Sequence, residues 1–165
     1  MDDHEAKNVK VVLRHPNASD AIAISKFLNE KDIADSIPGL GSDGIAAAHE
    51  ILNSAFQRSA ALGERHFIIE ADKTVVGMCV IYNIGNAEAE IGYWISVAYR
   101  RKGYATAAIR MLAGKAYLMG VRRIKATVMR SNKASAALLS SIGFAASAAE
   151  GNATEYSADT ASIKA

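Results

Sequence analysis

The sequence predicts a mixed α/β fold in which one sheet of about seven strands is flanked by about four helices. In the middle of the chain, short turns separate three apolar runs, and such turns favour antiparallel pairing. After about residue 89, strand-like and helix-like segments alternate, which favours parallel pairing. The chain has 165 residues, of which 50% are hydrophobic and 22% are charged. This composition and length predict one globular domain that spans residues 1–165.

The first part of the chain predicts one strand followed by two helices. The strand is Val9–Leu13, and a proline soon after it breaks the extended run. Asn17 or Ser19 can cap the first helix through a side-chain oxygen. A loop that contains Pro38 and several glycines precedes the second helix, which Gly63 ends.

A meander of three strands follows. The apolar runs are His66–Glu70, Thr74–Tyr82 and Ala89–Val97. Residues 71–73 form a hairpin-length turn between the first two runs, and residues 84–87 connect the second to the third. Each strand is therefore expected to run antiparallel to the next.

The last part of the chain alternates helices with strands. Apolar residues at helical spacing predict a helix over Gly103–Met119, and the strand Arg123–Met129 follows it. A second helix is predicted over Asn132–Ser141. A further extended segment begins at residues 143–144, and Thr154–Ala158 forms the last strand.

Composition and charge argue against several classes of function. The formal net charge is only +2, so we expect no broad basic surface for nucleic acid or for an anionic membrane. No apolar run has the length of a membrane span, and the acidic N-terminus does not resemble a signal peptide. Cys79 is the single cysteine and the histidines are dispersed, so we expect neither a disulfide nor a metal site. These features favour a cytoplasmic protein.

The clearest chemical signal is the turn Arg100–Thr106, between a predicted strand and a predicted helix. The first N–H groups of a helix have no acceptor within it, and the helix dipole adds partial positive charge there. Gly103 and Ala105 allow a ligand to approach closely, and three cationic residues precede Gly103. The turn therefore predicts a phosphate site built from backbone amides. A solvated basic turn is the alternative.

Motifs in the second half of the chain follow a recognisable order. They are Ala89–Val97, Tyr99–Thr106, Arg123–Thr127, Asn132–Ser135 and Ile142–Phe144. Together they resemble the GNAT superfamily of N-acetyltransferases, and within it the RimJ/RimL-like branch. The resemblance is strong over residues 89–144 and weaker over residues 8–88. It implies a GNAT-like, centrally splayed sheet, with Trp94–Val97 diverging from Arg123–Met129, and acetyl-CoA as the cosubstrate.

The resemblance also implies which residues bind acetyl-CoA. The turn would hold the CoA pyrophosphate, and the strand before it would pair with the pantetheine amides, which can act as an added strand. The positions implied are Ile95, Ser96, Val97, Arg100, Arg101, Lys102, Gly103, Tyr104, Ala105, Thr106, Asn132 and Ser135. Asn132 is equally suited to cap its helix.

Direct acyl transfer needs a deprotonated amine and a stabilised oxyanion. Glu90 is the candidate base, because a carboxylate on a mostly apolar strand is costly without partners, although a salt-bridged surface position is the alternative. Val97 N–H is the candidate oxyanion donor. By resemblance, Ser135 matches a serine near the CoA sulfur; its alternative role is helix packing. Leu139 stands where many superfamily members carry a tyrosine that acts as general acid.

Three functions are open from the sequence. The first is an N-acetyltransferase for a primary amine, either a protein N-terminal α-amine or a small molecule, and the resemblance is compatible with a homodimer. The second is an acyl-CoA-binding module with the same fold and no transfer activity. The third is a nucleic-acid binder that uses the basic clusters at Arg100 and Arg122, which the net charge disfavours. Tyr93 is expected mainly to pack, and Trp94 to pack or to wall an acceptor pocket.

Overall fold

The computed structural model describes residues 10–37 and 44–163 and contains a seven-stranded sheet in the order β1-β2-β3-β4-β5-β7-β6. The strands are β1 (Val11–Arg14), β2 (Arg65–Ala71), β3 (Thr74–Gly85), β4 (Glu88–Ile95), β5 (Arg123–Met129), β6 (Ala145–Glu150) and β7 (Ala153–Asp159). The helices are α1 (Ala21–Phe27), α2 (Lys31–Ser36), α3 (Gly44–Leu62), α4 (Tyr104–Leu118), α5 (Lys133–Ser141) and α6 (Thr160–Ile163). The predicted mixed α/β fold is confirmed. Val9 and the predicted loop at residues 38–43 lie outside the described residues.

The predicted meander forms, and its turns explain its register. Asp72 and Lys73, between β2 and β3, both have positive φ angles, as do Asn86 and Ala87 between β3 and β4. Two-residue turns with positive φ match the right-handed twist of the strands that they join. Consequently β2, β3 and β4 are antiparallel neighbours in the sheet.

The second half of the sheet differs from the expected series of parallel pairs. β4 and β5 pair in parallel on either side of the α4 crossover, as predicted. β6, however, does not pair with β5, because β7 lies between them and is antiparallel to both. The tight turn after β6, where Gly151 has a φ of +55°, makes β6 and β7 a hairpin. The longer partner β7 then occupies the whole edge of β5.

The helices include short elements that the apolar pattern did not predict. The first predicted helix begins as a 3-10 turn at Ala18–Asp20 before α1. The additional helix α2 carries an ion pair between Lys31 and Asp35, one helical turn apart. The additional helix α6 begins at Thr160, whose buried hydroxyl donates to the Val121 carbonyl. Both additional helices are too short to show an apolar stripe.

Two apolar cores lie on opposite faces of the sheet. On one face, α4, α5 and α6 pack against the odd-numbered residues of β4, including Ile91 and Ile95. On the other face, α1, α2 and α3 pack against Ile68, Met78 and Trp94. No helix among the described residues has both the length and the apolar character needed to cross a membrane.

Candidate active site

The sheet opens at its centre, where β4 and β5 separate. The two strands pair only between residues 88–90 and residues 123–125, and they diverge beyond them, as the resemblance implied. A cleft of about 520 Å³ lies in this opening. Its lining includes Ile37, Ile51, His66, Gly92, Tyr93, Trp94, Thr127, Asn132 and Ser135.

Residues from both faces of the sheet line the cleft. Side chains alternate along β4, so Trp94 packs against the core formed by α1, α2 and α3, whereas Tyr93 packs against the core of α4 and α5. Both side chains line the cleft, together with Ile51 from α3 and Ser135 from α5. The cleft is therefore bordered by side chains from both cores.

The exposed edge of β4 presents backbone groups to this cleft. Ser96 N–H donates to the Val76 carbonyl of β3, at 2.9 Å. Peptide groups alternate along a strand, so those of Tyr93 and Ile95 point to the opposite edge. Of the three residues predicted to pair with pantetheine, Ile95 thus has its N–H on the edge away from β3, whereas Ser96 has its N–H on the β3 side.

The Glu30 side chain forms hydrogen bonds with two groups just after β4, and the sequence indicated no partner for either of them. Its carboxylate accepts hydrogen bonds from the Ser96 hydroxyl and, at 2.8 Å, from Val97 N–H. The predicted oxyanion donor therefore already has a carboxylate acceptor. Glu30 lies 67 residues before Val97, between two short helices, so no local pattern in the sequence indicated this contact.

The predicted phosphate turn has the expected backbone geometry. Gly103 stands at the N-terminus of α4 with a φ of +81°, a conformation that glycine adopts without strain. The first helical hydrogen bond runs from Ala107 N–H to the Gly103 carbonyl, so the N–H groups of residues 104–106 precede the helical ladder. Arg101 and Lys102 are exposed beside them. These features fit an anion.

The Arg100 side chain differs from the expectation that it flanks the phosphate. Its guanidinium lies 2.6 Å from the Asp32 carboxylate, and its Nε donates to the Ile95 carbonyl at 2.7 Å. Glu30 lies 3.9 Å away on the same side. Arg100 thus ties the loop before α4 to the acidic segment around α2.

Glu90 lies near the closed end of the cleft and does not line it. It forms the last parallel pair with β5, opposite Lys125, and Asn83 Nδ2 donates to its Oε1 at 3.0 Å. Burial raises the pKa of the neighbouring Tyr82 to about 12, and the hydrogen bond to Glu90 adds to this effect. By alternation Glu90 shares a face with Gly92, which does line the cleft.

The start of α5 brings Asn132 and Ser135 to the cleft. Asn132 Oδ1 accepts a hydrogen bond from Ser135 N–H at 3.1 Å, which is the capping role weighed for it. Tyr93 Oη is buried beside them and makes no hydrogen bond within the described part of the chain. Burial raises the pKa of Tyr93, and the Ser135 hydroxyl, which lies close to Tyr93 Oη but outside hydrogen-bond geometry, opposes that rise. Leu139 is fully buried in the core.

His66 is isolated from the other histidines in the sequence, but in the structure it contacts a buried carboxylate. His66 lines the cleft, and its Nε2 lies 2.7 Å from the buried carboxylate of Glu64. Arg58 binds the same carboxylate through two nitrogens. The hydrogen bond from Arg58 is the main cause that lowers the pKa of Glu64. Among the described residues, no group of three metal-ligating side chains is assembled.

Comparison with known proteins identifies the family. The model of the acetyltransferase (GNAT) domain matches residues 10–145. No curated protein matches the sequence. In solved structures, the chain is similar to Mycobacterium smegmatis RimJ in complex with CoA-disulfide, with a TM-score of 0.79 and 23% identity over 90% of this chain and 81% of that one.

Two further structures share the fold. The spermidine N-acetyltransferase from Vibrio cholerae in complex with CoA and spermine has a TM-score of 0.76 and 18% identity, over 93% of this chain and 97% of that one. The Microcin C7 self immunity acetyltransferase MccE in complex with acetyl-CoA and AMP has a TM-score of 0.77 and 20% identity, over 94% of each chain. At 23% identity, the likeness to RimJ is a likeness of fold. Because the domain model covers most of the sequence, the chain belongs to the acetyltransferase (GNAT) domain family of acetyl-CoA-dependent acyltransferases.

Proposed function

We propose that the chain transfers the acetyl group of acetyl-CoA directly to a primary amine, either a protein N-terminal α-amine or a small-molecule amine. The cleft through the sheet carries this proposal, because a donor and an acceptor that enter from opposite faces can meet there in line. Similar structures were solved with CoA and spermine or with acetyl-CoA, which supports a thioester donor and an amine acceptor. The same proposal includes a single domain over residues 1–165, a cytoplasmic location and a homodimer.

Donor binding would use the start of α4 and the exposed edge of β4. The N–H groups of residues 104–106 and the exposed Arg101 and Lys102 suit the pyrophosphate, since backbone donors and cations converge there. Ile95 offers its N–H to a pantetheine amide. Arg100 would contribute through its backbone, because its side chain is held by Asp32.

The acceptor must lose a proton before it attacks, because a lysine-type amine has a pKa of about 10.4. Glu90 remains the proposed base, and its position outside the lining means that water would connect it to the amine. Val97 N–H remains the proposed oxyanion donor. It can serve in this way only after the Glu30 carboxylate releases it.

The second candidate function is an acyl-CoA-binding module without transfer activity. Two observations favour this binding function over acetyl transfer. Leu139 fills the usual tyrosine position and is fully buried, and Val97 N–H already has an acceptor. The experiment below separates this function from the first.

The first test measures the melting temperature with and without acetyl-CoA. The wild type is compared with three variants, Gly103→Asp, Gly103→Asn and Glu90→Gln. At a donor concentration of about 100 times its dissociation constant, binding adds about 2.7 kcal/mol to the free energy of unfolding. For a domain of this size that corresponds to a rise in melting temperature of about 5–10 °C. Asp and Asn have the same shape and both tolerate a positive φ, so their difference isolates the added charge.

The outcomes distinguish the candidates. A shift that Gly103→Asp abolishes, and that Gly103→Asn and Glu90→Gln retain, supports donor binding at the start of α4. Release of CoA in the presence of one amine from a panel of peptides, polyamines and amino sugars then supports transfer. A shift without turnover on any amine supports the binding module. A folded protein that shows no shift in millimolar acetyl-CoA contradicts both functions.

A further inference from the structure

We propose that the Tyr93 hydroxyl donates a hydrogen bond to the CoA sulfur as the thioester bond breaks, with Ser135 beside it; this inference rests on the proposed function. Within the described part of the chain, Tyr93 Oη is the one buried side-chain polar atom that makes no hydrogen bond. A buried hydroxyl without a partner is costly, so such groups are rare and call for an explanation. A ligand atom that binds in the cleft would supply the missing partner.

The position of Tyr93 fits this role. Tyr93 lies three residues beyond the last parallel pair with β5 and lines the cleft, and by alternation from Ser96 its peptide group lies on the edge of β4 away from β3. An extended ligand arm along this edge therefore passes the base of the Tyr93 side chain. The side chain itself lies on the face of α4 and α5, opposite the face on which Trp94 lies.

Ser135 approaches the same place from α5. Its backbone N–H is held by Asn132 Oδ1, which fixes the first turn of the helix. Both Ser135 and Tyr93 line the cleft, and the Ser135 hydroxyl lies close to Tyr93 Oη but outside hydrogen-bond geometry, where it opposes the effect of burial on the pKa of Tyr93. Leu139, one turn further along α5, is apolar and fully buried and cannot donate. The two hydroxyls are thus donors on this face of the cleft, where the proposal places the thioester.

Neither hydroxyl needs to lose its proton in the step. The amine nitrogen forms a bond to the acyl carbon, the carbon–sulfur bond breaks, and its electron pair goes to sulfur. The proton lost by nitrogen passes to the base. The sulfur leaves as a thiolate that accepts hydrogen bonds from Tyr93 and Ser135, and it takes a proton from solvent after release. A tyrosine, with a pKa of about 10, is a weaker acid than a thiol, with a pKa of about 8.5, so it acts as a donor and stays protonated.

The test compares the wild type with Tyr93→Phe, Ser135→Ala and the control Tyr156→Phe. Tyr156 lies on β7 and packs against the same core from outside the proposed site. The first measurement is the acidity of the thiol of bound CoA, which is read from thiolate absorbance over a pH range. We expect the bound thiol to be about tenfold more acidic in the wild type and in Tyr156→Phe than in Tyr93→Phe.

The second measurement is the rate of acetyl transfer to the best amine of the panel. We expect Tyr93→Phe to lower kcat by about tenfold or more, with a smaller loss of acetyl-CoA affinity, since the hydrogen bond strengthens as charge develops on sulfur. Ser135→Ala should lower kcat by a smaller factor. Tyr93→Phe should melt no lower than the wild type, because it removes a hydroxyl that has no partner in the free protein.

Each outcome is decisive. Equal thiol acidity in the wild type and in Tyr93→Phe overturns this inference and leaves the proposed function intact. A more acidic thiol in the wild type supports the inference even where no amine is acetylated, and that absence of turnover overturns the proposed transfer alone. A wild-type protein that does not bind CoA overturns both.

Discussion

Replacing Gly77 by alanine tests how closely β3 and β4 must approach beside the cleft. Gly77 pairs with Ile95, and a Cβ added at Gly77 would lie 2.1 Å from the Trp94 carbonyl oxygen and 3.1 Å from Ile95 Cα. Favourable contacts between non-bonded heavy atoms lie at about 3.5–4.0 Å, so the strands must separate by about 1 Å or more. The obstructing atoms belong to the backbone, and no rotation of a side chain relieves the clash.

Overpacking of this kind costs about 1–3 kcal/mol of unfolding free energy. For a domain of this size each kcal/mol changes the melting temperature by about 2–4 °C, so we expect a fall of about 2–12 °C, measured by circular dichroism or calorimetry. The shift of Trp94 and Ile95 should also weaken acetyl-CoA binding, since the far edge of β4 borders the cleft.

The matched control is Gly114→Ala, in the middle of α4. A Cβ added at Gly114 meets nothing within 4 Å, and alanine is favoured over glycine inside a helix by about 0.5–1 kcal/mol. The two glycine-to-alanine changes should therefore shift the melting temperature in opposite directions. A Gly77→Ala protein that melts as high as the wild type would refute the close approach of β3 and β4.

Two further predictions follow from buried groups. Cys79 is buried and its pKa is raised by burial, so its thiol should react with a maleimide or a disulfide reagent only at the rate of unfolding; fast modification of the native protein would contradict this burial. The Glu64 pKa is lowered in the folded state, chiefly by Arg58, so the unfolded chain takes up the proton first. Stability contributed by Glu64 is then fully present above a pH of about 4.5, the ordinary range of a glutamate, and is lost as the pH falls through the lowered folded value. In Arg58→Gln, the free energy of unfolding should therefore fall less steeply as the pH is lowered through the acid range. An unchanged pH dependence would contradict this explanation.

The parts of the fold that were predictable are those set by local constraints. The antiparallel meander follows from turns of two residues with positive φ, and Asp72 and Asn86 belong to the types that tolerate this conformation. The parallel pairing of β4 with β5 follows from the length of the α4 crossover. The position of β7 between β5 and β6 was not predictable in this way. A hairpin turn fixes that β6 and β7 are neighbours, but it does not fix which of them meets β5.

In the candidate site, too, the features set by neighbouring residues were predictable and those set by tertiary packing were not. The start of α4 was readable because glycine, cations and a helix N-terminus are adjacent in the sequence. Glu30 was not readable, because its hydrogen bonds to Ser96 and Val97 join segments about 67 residues apart and depend on how α1 and α2 lie over the sheet. Such contacts are set by tertiary packing.

Tyr93 shows most clearly which part of the site the sequence could not predict. Its place in an alternating strand predicts correctly that the ring packs against a core, because the ring is the larger and apolar part of the side chain. Whether the hydroxyl has a partner depends on one atom at the far end of that ring and on the start of a helix some 40 residues later, at Asn132 and Ser135. Core positions tolerate an unpartnered hydroxyl poorly, and phenylalanine would pack equally well at this position. The hydroxyl at this position is therefore better explained by what enters the cleft than by the stability of the fold.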